Sequence, residues 1–187
     1  MIFSSYTFIF TFLPIVFTAY FLLQRFAGDR PAKIWLVAAS LYFYAHGNIL
    51  FLPLLAGTVI FNYFIVRLIR KNRSRPALSK MLLALSVLEN LGLLFYFKYL
   101  NFFLGNVNYV FGTDYILRDI VLPIGISFYT FQIIAHVIDT YRGESEDSTF
   151  LEFAVFVTFF PQLIVGPIVR HDYMIGQIRS ERTRRID

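Results

Sequence analysis

Leu122–Gly143 reads LPIGISFYTFQIIAHVIDTYRG, an apolar stretch carrying Tyr129, Gln132, His136 and Asp139 at spacings of three, four and three. At about 100° per residue these four side chains share one side of a helix, with Gly125 and Gly143 near the same line. Phe131, Ile134 and Ile138 fall on the opposite side. A polar stripe on an otherwise apolar helix is expensive in lipid unless it faces other helices or a wet cavity. Two readings follow. The stripe is either hydrogen-bonding glue between helices or the lining of a polar path through the membrane, and the presence of His and Asp together favours the path.

Composition places the rest of the chain in the same solvent. Hydrophobic residues make up 57% of the 187, charged residues only 16%, and there are 23 Phe and 12 Tyr. A soluble domain carries about a quarter charged residues, so the expected fold is all-α: a polytopic integral membrane protein with about five hydrophobic helical segments. The absence of cysteine excludes thiolate metal sites, disulfides and a cysteine nucleophile within this sequence. No metal-ligand cluster or Gly-rich phosphate cradle is evident either. The net charge of +5 comes from basic residues in the loops between apolar runs, which is how membrane topology is written, so nucleic acid is not an expected partner. The lipid bilayer is.

Outward from the central stretch, the hydrophobic segments are 2–23, 34–45, 49–66, 81–104, 121–141 and 150–166. Ile2–Leu23 has no charged residue and lacks the cleavage context of a signal peptide, so it reads as a retained helix with a kink at Pro14. Ile34–Ala45 is too short to span alone, breaks at His46-Gly47-Asn48 and resumes at Ile49, which predicts a tight helical hairpin with His46 as an interfacial cap. Arg67, Arg70, Lys71, Arg73, Arg75 and Lys80 make 67–80 a cytoplasmic loop, and Arg25, Arg30 and Lys33 mark a second loop on that side. The N-terminus and the polar loop 105–119 then lie outside. Within 81–104, Lys98 reads as a snorkelling residue between Tyr96 and Tyr99, whereas Glu89 requires a partner or a proton. Phe150–Ile164 is broken by Pro161 and ended by Gly166-Pro167. The basic tail behind it (Arg170, Arg179, Arg182, Arg184, Arg185) predicts a re-entrant segment that enters and leaves on the cytoplasmic side and meets the central stripe at one cavity.

Three stretches, NLGLLFYFKYLNFF (Asn90–Phe103), LPIGISFYTFQ…VIDTYRG (Leu122–Gly143) and FFPQLIVGPIVR (Phe159–Arg170), together with LYFYAHGN at Leu41–Asn48, resemble the membrane-bound O-acyltransferase family in its bacterial alginate O-acetyltransferase branch. The resemblance covers essentially the whole chain. It implies one membrane domain, of which 1–187 is the N-terminal portion, in the bacterial cytoplasmic membrane. The implied activity is passage of an acetyl group from a cytoplasmic thioester donor, acetyl-CoA or another acyl thioester, across the membrane for O-acetylation of an exopolysaccharide such as alginate. No bound cofactor is implied. Periplasmic acetyltransferases and exopolysaccharide machinery are the implied partners.

D-alanyl or peptidoglycan acyl transfer, a lipid or protein acyltransferase of the same superfamily, and a non-catalytic scaffold or channel-like fragment are the alternatives. The resemblance places the family's catalytic histidine beyond Asp187, so none of His46, His136 and His171 is carried over as catalytic, and the chain alone is expected to be inactive. Tyr129, Gln132, His136 and Asp139 remain as candidate tunnel-lining residues. Arg142, Arg170 and His171 are candidates at the cytoplasmic rim, with Arg142 the sequence-nearest ion-pair partner for Asp139 and His171 read as solvated.

Overall fold

The computed structural model describes residues 5–117, 119–166 and 169–180. Pro167 and the tail residues Arg182, Arg184 and Arg185 lie outside the described residues. Among the described residues all regular structure is helical. A π-helical turn, Phe8–Phe12, leads into α1, Leu13–Phe26. Pro14 stands in the first turn of α1, where its missing N–H costs least, so the interruption expected there takes the form of a π-to-α change.

Helices α2, Asp29–Asn48, and α3, Leu52–Lys71, are joined by one 3-10 turn, Ile49–Phe51. The expected break is present: Asn48 is extended and its side chain accepts from the Leu50 N–H at 3.0 Å. The first arm, however, is not the short Ile34–Ala45. It is 20 residues long, about 30 Å, because Asp29, Arg30 and Lys33 lie inside the helix and the connection to α1 shrinks to Ala27 and Gly28. Lys33 is buried between Asp29 at 2.7 Å and Glu152 at 2.9 Å. A cation neutralised in this way carries no topological signal, and reading Lys33 as a loop charge was mistaken.

Helix α4, Pro76–Leu94, a π-helical turn, Phe95–Tyr99, and α5, Leu100–Phe111, form one continuous run. Residues 105–111, expected in a loop, are therefore helical. Val107, Tyr109, Val110 and Phe111 continue the apolar pattern past Gly105, whose cost inside a helix is only about 1 kcal/mol. The loop begins at the left-handed Gly112. Helices α6 (Ile126–Arg142), α7 (Phe150–Thr158), α8 (Phe160–Val165) and α9 (His171–Arg179) complete the described fold.

Among the described residues three helical runs are long and apolar enough to cross a membrane: Phe8–Phe26, Asp29–Lys71 and Pro76–Phe111. The expected segments 2–23, 34–45, 49–66 and 81–104 fall largely within them. Helix α6, at 17 residues, is about 25 Å long. Helix α7, at nine residues, is about 14 Å, well short of the roughly 30 Å hydrocarbon core. Yet α7 is buried from Glu152 through Thr158 and packs against α2, α3, α6 and α9. Phe8, Phe12, Phe43 and Phe160 close the core beside it with ring centroids 5.2–6.0 Å apart. Phe17, Phe64, Leu88, Phe102 and Phe111 point outward, an apolar coat suited to lipid.

Candidate functional site

Helix α6 starts and stops on glycine. Gly125 has φ +73°, and a Cβ there would overlap the carbonyl oxygen of Leu163, so the helix begins pressed against α8. Gly143, at φ +83°, ends it in a Schellman arrangement: its N–H reaches the Thr140 carbonyl and the Glu144 N–H reaches that of Asp139. Between these glycines the stripe faces inward. Tyr129, Gln132 and His136 are buried, as is Thr140, while Phe131 on the opposite side is exposed. Asp139 is half-buried. The Asp139–Arg142 ion pair does not form, because Arg142 stands exposed on the last turn, where water and the negative end of the helix already favour a cation.

The buried stripe is rich in polar atoms without protein partners: the Tyr129 hydroxyl, Gln132 Oε1, His136 Nε2 and Thr140 Oγ1. The stripe and α7 meet by direct side-chain packing, with the His136 ring 5.5 Å from Phe153 and 5.9 Å from Phe156. A cavity of about 450 Å³ lies elsewhere, between the N-terminal π-turn with α1 and α2, lined by Thr11, Val16, Trp35 and Tyr42 among others.

At its cytoplasmic-side end, by the sequence reading, the stripe runs into a second cluster. His171, expected to be solvated, is buried and stacks on His136 with ring centroids 3.9 Å apart. The correction has a local cause: α9 folds back so that its first residue enters the space between α6 and α7. His171 Nδ1 is 2.8 Å from Asp172 Oδ1. The Ser145 hydroxyl donates to the same oxygen at 3.1 Å and lies 3.3 Å from His136 Nδ1. Arg70 donates to the Ser145 carbonyl at 3.0 Å and to that of Glu146. Arg170, the other rim candidate, is exposed.

Burial is the largest influence on His171 and pushes its pKa below the ordinary histidine value, with Arg70 and Arg179 adding to the effect and Asp172 opposing it. For Asp172, burial pushes upward, but hydrogen bonds from His171, the Glu146 N–H and Ser145 outweigh it and leave the carboxyl below its usual value. The 2.8 Å contact is a hydrogen bond between the imidazole Nδ1 and the carboxylate, and becomes an ion pair only when the imidazole is protonated.

Two further polar groups complete the interior. Glu89 finds the partners it required: Asn62 and Asn90 donate to it at 3.0 and 2.8 Å, and Ser86 and Asn90 both donate to Asn62 Oδ1. Glu152 gathers Lys33 and Arg179, each within 2.9 Å, at the start of α7. Sequence reading passed over Asn62, Ser145, Glu152 and Asp172, and took Arg70 only as a charge of the 67–80 loop. Only Glu152 carried a local signal, the Thr149-x-x-Glu152 capping box that the structure forms in full.

No family model and no solved structure matches the chain. Among curated proteins, the peptidoglycan O-acetyltransferase of Helicobacter pylori is 39% identical, with 98% of this chain and 40% of that protein aligned. The "Probable alginate O-acetylase AlgI" of Pseudomonas aeruginosa is 40% identical over 100% of this chain and 36% of its own length. The protein of the same name from Azotobacter vinelandii is 38% identical over 100% of this chain and 38% of its own. The chain thus spans about two fifths of the length of these relatives. The likeness runs from end to end through all the motifs quoted above, and on that ground the chain belongs to the membrane-bound O-acyltransferase family, among its alginate O-acetylase-like members.

Proposed function

We propose that this chain is part of a membrane-bound O-acyltransferase that takes an acetyl group from a cytoplasmic thioester, such as acetyl-CoA, and delivers it across the bacterial inner membrane to hydroxyls of an exopolysaccharide such as alginate. The observation that carries this reading is the 38–40% identity, along essentially the whole chain, to relatives named as O-acetylases. Transfer to peptidoglycan is the second reading, favoured by the Helicobacter relative. Periplasmic acetyltransferases and, for the first reading, exopolysaccharide machinery are the partners called for.

In this reading Tyr129, Gln132, His136 and Asp139 line the acyl path, and α7 with α8 forms a re-entrant segment beside it. A path through lipid needs polar groups that can hydrogen-bond what passes along it, and the buried stripe offers atoms that have already lost water and have no protein partner. The test uses the full-length protein in proteoliposomes supplied with acetyl-CoA on the cytoplasmic face and alginate or peptidoglycan fragments on the other. Acetyl ester on one polymer and not the other selects between the two readings, and no transfer to either sinks both. In the same assay Gln132→Ala, His136→Ala and Asp139→Asn should lower transfer at least tenfold with normal protein yield. If the stripe is only helix glue, each should instead cost about 0.6–2 kcal/mol of packing and reduce yield.

A further inference from the structure

His136 and His171 reach their stacked contact from different elements, and both direct Nδ1 at one Ser145–Asp172 pair. The directions of these hydrogen bonds are fixed by what each group can do. The Asp172 carboxylate only accepts, so His171 Nδ1 carries a hydrogen and donates it. Ser145 has one hydroxyl hydrogen, and its shortest acceptor, at 3.1 Å, is the charged Asp172 Oδ1, the stronger bond of those open to it. Ser145 Oγ then accepts from His136, so His136 Nδ1 also carries a hydrogen. Both rings therefore hold a bare lone pair on Nε2, and both Nε2 atoms are buried without a protein partner. A buried acceptor left unpaired is destabilising, and here two stand on rings whose centroids are 3.9 Å apart.

We propose that His136 and His171 form a twin-acceptor, proton-binding site whose ligand is a water molecule held between their two Nε2 atoms. Water offers two O–H donors, one for each lone pair. An anion offers none, and Phe153 and Phe156, the phenyl rings packed against the two imidazoles, supply no polar partner. The site accepts one proton. When a proton arrives on the water from its outer side, one of its O–H bonds toward Nε2 breaks, that hydrogen moves to the imidazole, and a neutral water remains. The positive charge is countered by Asp172, directly for His171 and through Ser145 for His136. A second proton is refused, because two imidazolium rings stacked at this distance in a buried site would repel strongly. Arg70 and Arg179 face the pair and oppose the charge, while Asp172 supports it.

The site stands on this geometry alone and does not depend on the acyl-transfer reading, so the two can fail separately. The test is solid-state NMR of the full-length protein in lipid, labelled with ¹⁵N-histidine, at pH 7.5. His136→Asn and His171→Asn assign the two signals; asparagine keeps a donor close to the Nδ1 position and lacks Nε2. Both rings should be neutral with hydrogen on Nδ1, the less common tautomer, and polarisation should pass from water protons to both Nε2 atoms. Hydrogen on Nε2 in either ring, two imidazolium rings, or dry Nε2 atoms with no transfer from water would each overturn the proposal.

Discussion

His171 shows how far one residue's behaviour depends on its partners. As a lone histidine beside a basic tail it reads as solvated, but in the fold it is 3% exposed and wedged against His136. Its folded-state pKa lies below the ordinary value, with burial the foremost cause. A group of this kind contributes its stability above its unfolded pKa, about 6.5, and loses that contribution as pH falls toward the folded value. The docking of α9 should therefore weaken on acidification. Amide exchange in α9, corrected for intrinsic rates, should be slower at pH 7.5 than at pH 5.5, and His171→Asn should abolish the difference. Equal protection at the two pH values in the native protein would contradict the assignment. Asp172, also shifted downward, titrates below this window and does not contribute to the difference.

Among the elements, α7 is tied to its neighbours by polar contacts at its first turn. Thr149 and Glu152 form a reciprocal capping box, with bonds of 3.3 and 2.9 Å. The same carboxylate binds Lys33 from α2 and Arg179 from α9. One side chain thus ties three helices at the point where the chain turns into the core. Glu152→Ala removes the shared acceptor and leaves Lys33 only Asp29, at 2.7 Å. The cost should fall toward the lower end of the roughly 3–5 kcal/mol expected for breaking a buried pair. It should appear as a clear drop in the melting temperature of detergent-solubilised protein. Thr149→Ala loses only the cap, about 1 kcal/mol. If the two variants lose equal stability, Glu152 does not act as the hub.

At the scale of the whole molecule, the question is which way the chain threads the bilayer. The exposed Phe and Leu coat and the three span-length runs among the described residues fit a membrane protein, and the positive-inside rule applied to the basic residues at the end of α3 with Arg73 and Arg75 predicts a cytoplasmic location for that end. Cysteines at Ser74, Asp114 and Ser180 report the threading in intact cells through an impermeant maleimide. Asp114→Cys should label from outside, whereas Ser74→Cys and Ser180→Cys should label only after the cells are opened. Labelling of Ser180→Cys from outside would show that α7 and α8 carry the chain across, and the re-entrant reading would fail.

Sequence alone determined the class of fold, because an all-round shortage of charge and long apolar runs leave helices in lipid as the way to satisfy the backbone. It also determined the inward face of α6, since Tyr129, Gln132 and His136 obey the 3.6-residue period, but not where that helix begins: it starts only after the positive-φ Gly125, inside the expected 121–141. Charge counting misplaced Lys33, and the polar residues of 105–111 hid the end of α5. In both cases the deciding interaction lies outside the local sequence or is too weak to show in composition. Only the tertiary structure brought His171 onto His136, Asn62 to Glu89, and Lys33 with Arg179 to Glu152, pairs separated by 27 to 119 positions. A hydrogen bond or ion pair leaves no periodic trace in either strand of chain that makes it, so such contacts become legible only when the packing of α7 fixes which surfaces meet.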